Sequence, residues 1–238
     1  MLLLAIESSG LVASIALMSD DKIVGEYTTN FKTTHSQTLL PMMNEVVQMT
    51  GFSLENLDAI VISGGPGSFT GLRIGAATAK GLGLALEKPL INVPTVDALA
   101  FNLYGNEQVI CPIMDARRQQ VYTGLYTFEG DDFKVLAAQK AVGIDEIVEE
   151  INVMGRPVIF LGDGVPVHKE YIREHSTVPV QFAPAHLNAQ RAGALIALGK
   201  RYYEEGRLET ADEHVPDYLR LSQAERELQE KQKREANA

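Results

Sequence analysis

Apolar runs and short polar turns alternate at the start of the chain, a pattern typical of a β-meander. Leu2–Ile6 is apolar and is followed by the turn-forming residues Ser8–Gly10, after which Val12–Met18 resumes a strand-like composition. Two aspartates then separate this second run from Ile23–Thr28. Short apolar runs divided by such turns predict strands with tight connections. We therefore expect the chain to open with a three-stranded meander.

Helical and strand-like patterns alternate after the meander. Apolar residues recur at helical spacing over about residues 38–50, and Gly51 ends this pattern as a C-terminal cap. The run 57–62 predicts a buried strand that enters the glycine-rich loop 63–68, and a second helix is expected over about residues 70–86. A short strand, Leu90–Val93, and a third helix, Val96–Leu103, complete this half of the chain.

The same order of elements returns in the second half. Val109–Met114 predicts a strand that ends at Asp115, Gln120–Tyr126 predicts the outgoing strand, and Phe133–Ala138 predicts the third. A later apolar run, Val158–Leu161, enters a Gly-Asp-Gly turn and so echoes the strand before the glycine-rich loop. Residue identity between the halves is slight, so the repeat lies in the order of elements.

Two units built on one plan predict two similar lobes, over residues 1–104 and 105–216. A three-stranded meander followed by alternating helix and strand in each lobe is the layout of the actin-like ATPase (ASKHA, ribonuclease H-like) fold, which belongs to the α/β class. Residues 217–238 mix both charges with few apolar residues, which predicts a solvated helix or tail. The residues of this tail expected to dock are Tyr218, Leu221 and Ala224.

Composition and charge narrow the class of protein. The 238 residues are 45% hydrophobic and 22% charged, which is typical of an ordinary folded protein. The 31 acidic residues outnumber the 21 basic ones and give a net charge of −10, which argues against unaided nucleic-acid binding. No apolar run has the length of a membrane span or the flanks of a signal peptide. We expect a cytoplasmic protein without membrane contact.

Two acidic turns occupy equivalent places in the predicted lobes, and in an actin-like fold such turns hold magnesium and phosphate. Glu7, Ser8 and Ser9 form the first turn, while Asp115 and Arg117 belong to the second. The second turn lacks the glycine that lets backbone amides approach a phosphate, and Arg117 and Arg118 are expected to fill that space. The sequence therefore predicts no catalytic residue and at most weak nucleotide binding in this cleft.

The glycine-rich loop 64–71 has two interpretations. Free backbone N–H groups at a strand-to-helix turn bind anions. However, the loop has no lysine for a phosphate-loop pattern and lacks a suitably placed acidic residue for a dinucleotide pattern. The alternative to a phosphate cradle is a tight structural turn that positions Phe69 and Arg73.

Metal ligands and nucleophiles have no clear signature. The five histidines contain no pair four residues apart, so the helical zinc-protease arrangement is absent from the sequence. His168 and His175 are spaced to share a helix face, and we interpret them as solvated imidazoles. Cys111 is the single cysteine and lies in an apolar run, which predicts a buried side chain. No metal or cofactor is predicted.

Surplus apolar surface on the helices 36–50 and 70–86 predicts a partner. Apolar residues of the first helix cover an arc of about 180°, whereas packing on its own sheet needs about 100°. In the second helix, small residues recur every four positions. Each glycine inside a helix lowers helix stability by about 1 kcal/mol relative to alanine. Burial within the fold is the alternative. The predicted partner face comprises Leu39, Met42, Met43, Val46, Gly71, Gly75, Ala79 and Gly83.

Five segments carry a resemblance to a known family. The sequence GPGSFTGLRIG at residues 65–75 resembles the bacterial tRNA threonylcarbamoyladenosine biosynthesis proteins TsaB, also called YeaZ. Four other segments are similar to the same family, and the resemblance is dense up to about residue 126 and thin from there to residue 215. These segments are LAIESS at 4–9, THSQ at 34–37 with LLP at 39–41, DARR at 115–118 followed by VY at 121–122, and PDYLR at 216–220.

The resemblance implies an actin-like fold with two lobes and a subunit without chemistry of its own. The TsaB proteins are relatives of the TsaD/Kae/Gcp family, and the resemblance implies a heterodimer with a TsaD-like transferase subunit. That subunit uses ATP and a metal to modify adenosine 37 of tRNA. A TsaE-like ATPase joins the complex. The resemblance implies that this chain contacts tRNA only indirectly, through the complex.

The implied heterodimer joins first-lobe helices of the two proteins, and the same helices could join two copies of this chain as a homodimer when the partner is absent. The catalytic relative carries a His-x-x-x-His metal pair where this chain has the histidine-free stretch 94–99. The resemblance therefore implies a non-catalytic scaffold. The alternative function is an ATP-binding phosphotransferase or ATPase that acts through Glu7 and Asp115.

Overall fold

Two five-stranded sheets and six α-helices form the described part of the chain, residues 1–31 and 34–220 of a computed structural model. The first sheet contains β1 (Leu2–Glu7), β2 (Ala13–Ser19), β3 (Lys22–Thr29), β4 (Ala59–Gly65) and β5 (Leu90–Pro94). The second contains β6 (Val109–Asp115), β7 (Gln120–Glu129), β8 (Asp132–Gly143), β9 (Val158–Leu161) and β10 (Val180–Phe182). The helices are α1 (His35–Thr50), α2 (Phe69–Leu86), α3 (Thr95–Ala100), α4 (Ile144–Met154), α5 (Val165–His175) and α6 (Ala192–Glu204).

The two sheets have the same topology. The first has the strand order β3-β2-β1-β4-β5, and the second, read from its far edge, has the equivalent order β8-β7-β6-β9-β10. In each sheet the first three strands are antiparallel, and the last two run parallel to the first. The repeat predicted from the sequence is therefore confirmed, and the chain has the α/β, actin-like fold with two lobes.

Alternate residues of β1 face two different helix layers. Leu2, Leu4 and Ile6 pack into a core that includes buried residues of α1 and α2. Leu3 and Ala5 belong to a second core that includes residues of α3 and α6. Because both faces of the sheet are covered, β1 is apolar at every position up to Glu7 instead of alternating with polar residues.

Helix α6 comes from the second predicted lobe and packs on the sheet of the first. Glu26 of β3 accepts hydrogen bonds from the Arg191 side chain, at 2.6 Å, and from the Gly193 backbone N–H, at 3.1 Å. Ser14 Oγ accepts from the Ala192 N–H at 3.0 Å. The two sheets thus lie on opposite sides of the predicted boundary at residues 104 and 105. Helix α6 follows that boundary in the sequence but packs on the first sheet.

Several predicted bounds differ from those in the structure. α1 begins at His35 instead of residue 38, and β4 runs from residue 59 to 65 instead of 57 to 62. β8 continues to Gly143, five residues beyond its predicted end, along the full length of β7. α3 ends at Ala100, and a short 3₁₀ turn follows where the sequence predicted continued helix. The elements α4, α5, α6 and β10 had no predicted bounds.

The chain after α6 returns to the first lobe. Leu90 and Glu209 form an antiparallel bridge at the outer edge of β5, and the Asp217 N–H donates to the Gly64 carbonyl at 2.6 Å. Of the predicted charged tail, residues 221–238 lie outside the described part, and so do Leu221 and Ala224. None of the described helices has the length and apolar character needed to cross a membrane.

Candidate functional site

A cleft of about 310 Å³ lies between the two acidic turns and is lined by residues of both lobes. The first lobe contributes the β1–β2 turn and the start of α2, and the second contributes the β6–β7 turn and the loop before α5. The strap, which we define as residues Pro216–Arg220, also reaches it. Its lining includes Ser9, Gly67, Phe69, Asp115, Arg117 and Arg220.

The Glu7 carboxylate is turned into the protein and away from this cleft. Its Oε1 atom accepts hydrogen bonds from the Ser9 backbone N–H at 2.7 Å and from the Ser9 hydroxyl at 2.5 Å. Burial raises the pKa of Glu7 above that of an ordinary glutamate, while the hydrogen bonds from Ser9 oppose the shift. The neighbouring Ser8 hydroxyl donates to the Gly71 carbonyl at 2.9 Å. This turn therefore holds its own backbone and the first turn of α2 in place.

The Asp115 carboxylate is likewise engaged within its own turn. It accepts the Arg117 backbone N–H at 2.8 Å and lies 3.3 Å from the Arg117 guanidinium. The Arg117 side chain lines the cleft, where an arginine was expected, and is 86% exposed. The three residues from Arg117 to Gln119 have positive φ angles of 65°, 55° and 58°, which non-glycine residues adopt at a cost.

Asp163 is a cleft residue that the sequence did not indicate. It follows β9, and its carboxylate accepts the Asp115 backbone N–H at 3.1 Å. Burial raises its pKa, and the neighbouring Asp115 charge acts in the same direction. The parallel pairing of β9 with β6 brings the two aspartates together, and a Gly-Asp-Gly turn after a predicted strand was the available signal.

The glycine-rich loop uses its backbone amides inside the protein. The Ser68 N–H donates to the Ser9 carbonyl at 2.7 Å, and the Gly65 N–H donates to the Thr95 hydroxyl at 3.2 Å. The Ser68 hydroxyl accepts the Gly71 N–H at 3.3 Å and so caps α2. A side chain at Gly67 would place its Cβ 2.3 Å from the Ser9 carbonyl oxygen. These contacts support the structural turn over the phosphate cradle.

The residues predicted to form the partner face lie within this chain's own core. On α1 they are buried against the first sheet, because the centre of the apolar arc faces the strands; these are Leu39, Met42, Met43 and Val46. The small residues of α2 are also buried; these are Gly71, Gly75, Ala79 and Gly83. A Cβ at Gly75 would lie 2.3 Å from the Ser8 hydroxyl oxygen, so a larger residue would have to displace that buried side chain.

A different set of side chains carries the exposed apolar surface of these helices. On α1, Leu40 is 57% exposed, and on the neighbouring α2, Leu84 is 56% exposed. Ala77 and Gly81 lie on the same exposed side of α2, and a Cβ built at Gly81 meets no atom of this chain within 4 Å. We call Leu40, Ala77, Gly81 and Leu84 the outer helix face.

The remaining candidate side chains have structural roles. Asp97, in the histidine-free stretch, is buried, accepts the Tyr126 hydroxyl at 2.7 Å, and has a pKa raised by burial. Cys111 is buried as predicted, and burial raises its pKa to about 12. The interpretation of His168 as a solvated imidazole is wrong, since the helix packs it into the protein. Residues 1–31 and 34–220 contain no cluster of three or more potential metal ligands.

All five segments that carry the family resemblance meet around the cleft. Ser9, Phe69, Asp115 and Arg220 each line it and come from four different segments. The remaining segment contributes His35, whose Nε2 atom lies within hydrogen-bond distance, 2.8 Å, of the Gly10 carbonyl oxygen in the first turn. Segments far apart in the sequence therefore build one structural centre.

Comparison with known proteins gives a consistent result. The sequence matches the family described as TsaD, tRNA N6-adenosine threonylcarbamoyltransferase, over residues 22–228. It is 36% identical to the tRNA threonylcarbamoyladenosine biosynthesis protein TsaB of Bacillus subtilis (strain 168), over 98% of this chain and 100% of that protein. It is 28% identical to the protein of the same name from Escherichia coli, over 96% of this chain and 98% of that protein.

Solved structures agree in fold. A Pseudomonas aeruginosa protein described as similar to the peptidase YeaZ superposes with a TM-score of 0.78 at 25% identity. YeaZ from the same organism superposes with a TM-score of 0.76 at 26% identity. Both superpositions cover 92% of this chain and 99% of the compared chain.

Proposed function

We propose a scaffold role for this chain, which belongs to the TsaB family of tRNA threonylcarbamoyladenosine biosynthesis proteins. In this role the chain binds and stabilises a TsaD-like transferase subunit and performs no chemistry itself. A TsaE-like ATPase joins the complex, and the tRNA reaches the active site on the transferase subunit. The same helices hold two copies of this chain together when the transferase is absent.

Gly81 is the observation that carries this proposal. Glycine inside a helix costs about 1 kcal/mol relative to alanine. At Gly71 and Gly75 the chain's own atoms explain that cost, since a Cβ would overlap Ser8. At Gly81 nothing within the described chain does, because a Cβ there would stand in open space. A second helix that packs closely on the outer helix face would explain why the position has no side chain.

The exposed neighbours of Gly81 suit such a contact. Ala77 lies one turn before it and is small, so α2 presents a smooth strip on its solvent side. Leu84 follows Gly81 by three residues on the exposed side of α2, and Leu40 on the neighbouring α1 is also more than half exposed. Exposed apolar side chains next to small residues are typical of a protein interface.

The absence of chemistry is proposed from the two acidic turns. Glu7 is buried and hydrogen-bonded to Ser9, and the Asp115 carboxylate is engaged by Arg117, so neither carboxylate is presented alone to a ligand. Two amides of the glycine-rich loop, those of Ser68 and Gly65, are also engaged, by Ser9 and Thr95. These contacts weigh against the alternative of an ATPase or phosphotransferase acting through Glu7 and Asp115.

Light scattering of the purified chain mixed with its TsaD-like subunit tests the proposal. We expect a single species with the mass of the assembly for the wild-type chain. Leu84→Glu should yield separate components, since it places a charge in the outer helix face. Val153→Glu is the matched control, because Val153 is 84% exposed on α4, far from α1 and α2 in the sequence. Separate components for the wild-type chain, or equal complex formation by both variants, would contradict the proposal.

A further inference from the structure

Two arginines line the cleft of this acidic protein, and two more are next to its lining residues. Arg117 and Arg220 line the cleft, and Arg118 follows Arg117 in the same left-handed turn. Arg73 projects from the exposed side of α2, beside the rings of Phe69 and Tyr218. Because Arg220 donates a hydrogen bond to the Ala116 carbonyl, the strap joins the two sides into one surface. We call the four arginines the arginine rim.

Three of the four arginines of the rim form no ion pair within the described ranges. Elsewhere in those ranges, Arg173, Arg191 and Arg207 each lie close to a carboxylate, whereas Arg156 and Arg201 donate hydrogen bonds to backbone carbonyl oxygens. Within the described ranges, Arg73, Arg118 and Arg220 form no ion pair, and Arg117 pairs with Asp115 while remaining 86% exposed. A chain with net charge −10 therefore concentrates unpaired positive charge at one place. Such a patch fits an anionic partner.

Two aromatic rings lie within the same surface. Phe69 and Tyr218 stack with their centroids 4.6 Å apart, and both side chains are partly exposed. Arg73 lies 5.8 Å from the centroid of one ring and 5.9 Å from that of the other. Exposed aromatic rings bordered by arginines are typical of surfaces that bind single-stranded nucleic acid, where bases stack and phosphates contact guanidinium groups.

The charge of the cleft floor decides where an anion would lie. Asp115 and Asp163 line the cleft below the rim, and burial raises the pKa of Asp163 because its charged form is disfavoured there. A phosphate inside the cleft would face these carboxylates, whereas a phosphate on the rim would face Arg73, Arg117 and Arg118. An extended polyanion that crosses the mouth fits this distribution better than a nucleotide held inside.

We propose that the arginine rim, together with the Phe69–Tyr218 pair, binds single-stranded RNA. The arginines contact phosphates, and the aromatic pair stacks against an unpaired base. The inference rests on the proposed function in one respect: a complex that modifies RNA brings that polymer to this surface. Binding by this chain alone is weak, because its net charge repels RNA outside the rim.

Fluorescence anisotropy with the full chain and a labelled single-stranded RNA of about 12 nucleotides tests the inference. We expect binding that weakens between about 25 mM and about 200 mM salt. Arg73→Gln combined with Arg118→Gln should lower the affinity at least about fivefold and reduce the slope of log affinity against log salt by about 1.4, or about 0.7 for each lost contact. Arg118→Gln alone, at an exposed side chain with no ion pair to lose, should give half of that change in slope.

Arg156→Gln combined with Arg173→Gln is the matched control, since it removes the same charge from residues that do not line the cleft. Absence of binding, or equal weakening by the rim and control variants, would overturn the inference. Displacement of the RNA by ADP would also overturn it, because the anion site would then belong to a nucleotide. Displacement by polyglutamate at equal charge concentration would do the same, because the site would then belong to an acidic protein segment. Light scattering with the transferase subunit separates the two proposals: Arg118→Gln, which is in the β6–β7 turn and outside the outer helix face, should still form the complex.

Discussion

The ring of Tyr218 stacks on the ring of Phe69 with the two planes inclined by only 4°. Phe69 is the first residue of α2, and Tyr218 belongs to the strap near the end of the described chain. The Asp217 N–H bonds to Gly64 on one side of the pair, and Arg220 bonds to Ala116 of the second lobe on the other. This stack therefore anchors the strap where the two lobes meet.

Removing the Tyr218 ring tests how firmly the strap is held. Tyr218→Ala should lower the free energy of unfolding by about 1–2 kcal/mol, because it removes a stacked aromatic pair and its buried area. Tyr218→Phe should change it by less than about 0.5 kcal/mol, since the Arg73 contact with the hydroxyl is long, at 3.4 Å. Urea unfolding of both variants measures the difference. Equal effects of the two substitutions would show that the ring contributes nothing.

Two glycines of α2 should respond in opposite directions to the same substitution. Gly81→Ala should raise the free energy of unfolding by about 0.5–1 kcal/mol, because alanine is the better helix former and its methyl group meets open space. Gly71→Ala should lower it by about 2 kcal/mol or more, because its Cβ would lie 2.1 Å from the Ser8 carbonyl oxygen. Thermal or urea unfolding measures both. A loss of stability in Gly81→Ala would mean that the position is packed, either within this chain or against a second copy of it.

The buried Glu7 carboxyl should make stability depend on pH. Its pKa is raised by burial, so the folded state holds the proton more tightly than the unfolded state. Its contribution to stability is then complete below the unfolded pKa of about 4.3 and is lost as the pH rises through the raised folded value. Glu7→Gln cannot titrate, so its free energy of unfolding relative to wild type should increase from about pH 4 to about pH 8.

Urea unfolding of wild type and Glu7→Gln across this pH range makes the comparison. The other buried acids, Asp97 and Asp163, are present in both proteins, so their titration cancels in the difference. A difference that does not change with pH would show that Glu7 has the same pKa in the folded and unfolded chains.

Local patterns were sufficient to predict most of the first lobe. The strands β1 and β4 are continuous apolar runs between clear turns, and α1 combines strong periodicity with a glycine cap at Gly51. Tyr218 was also expected to dock, because it is one of few apolar residues in a charged segment. Each of these predictions depends on residues that are close together in the sequence.

Predictions that depend on which side of a helix meets the sheet were less accurate. The helical wheel gives the width of the apolar arc, but Leu39 and Leu40 lie on the same arc while only Leu40 is exposed. The glycine spacing likewise marked Gly71 and Gly75, which pack on this chain's own turn, and overlooked Gly81. Long-range contacts such as Asp163 with Asp115 depend on strand order, which local pattern does not specify.

The affinity of the TsaD-like subunit for Gly81 variants tests the central claim most directly. Titration calorimetry should give Gly81→Ala a dissociation constant about tenfold above that of wild type, because its methyl group would stand where the partner helix packs. Gly81→Leu should fold, since open space surrounds the position, and should bind at least about 100-fold more weakly, because its side chain would hold the partner helix away. Binding of Gly81→Leu with the affinity of wild type would contradict the claim that the outer helix face binds the transferase subunit.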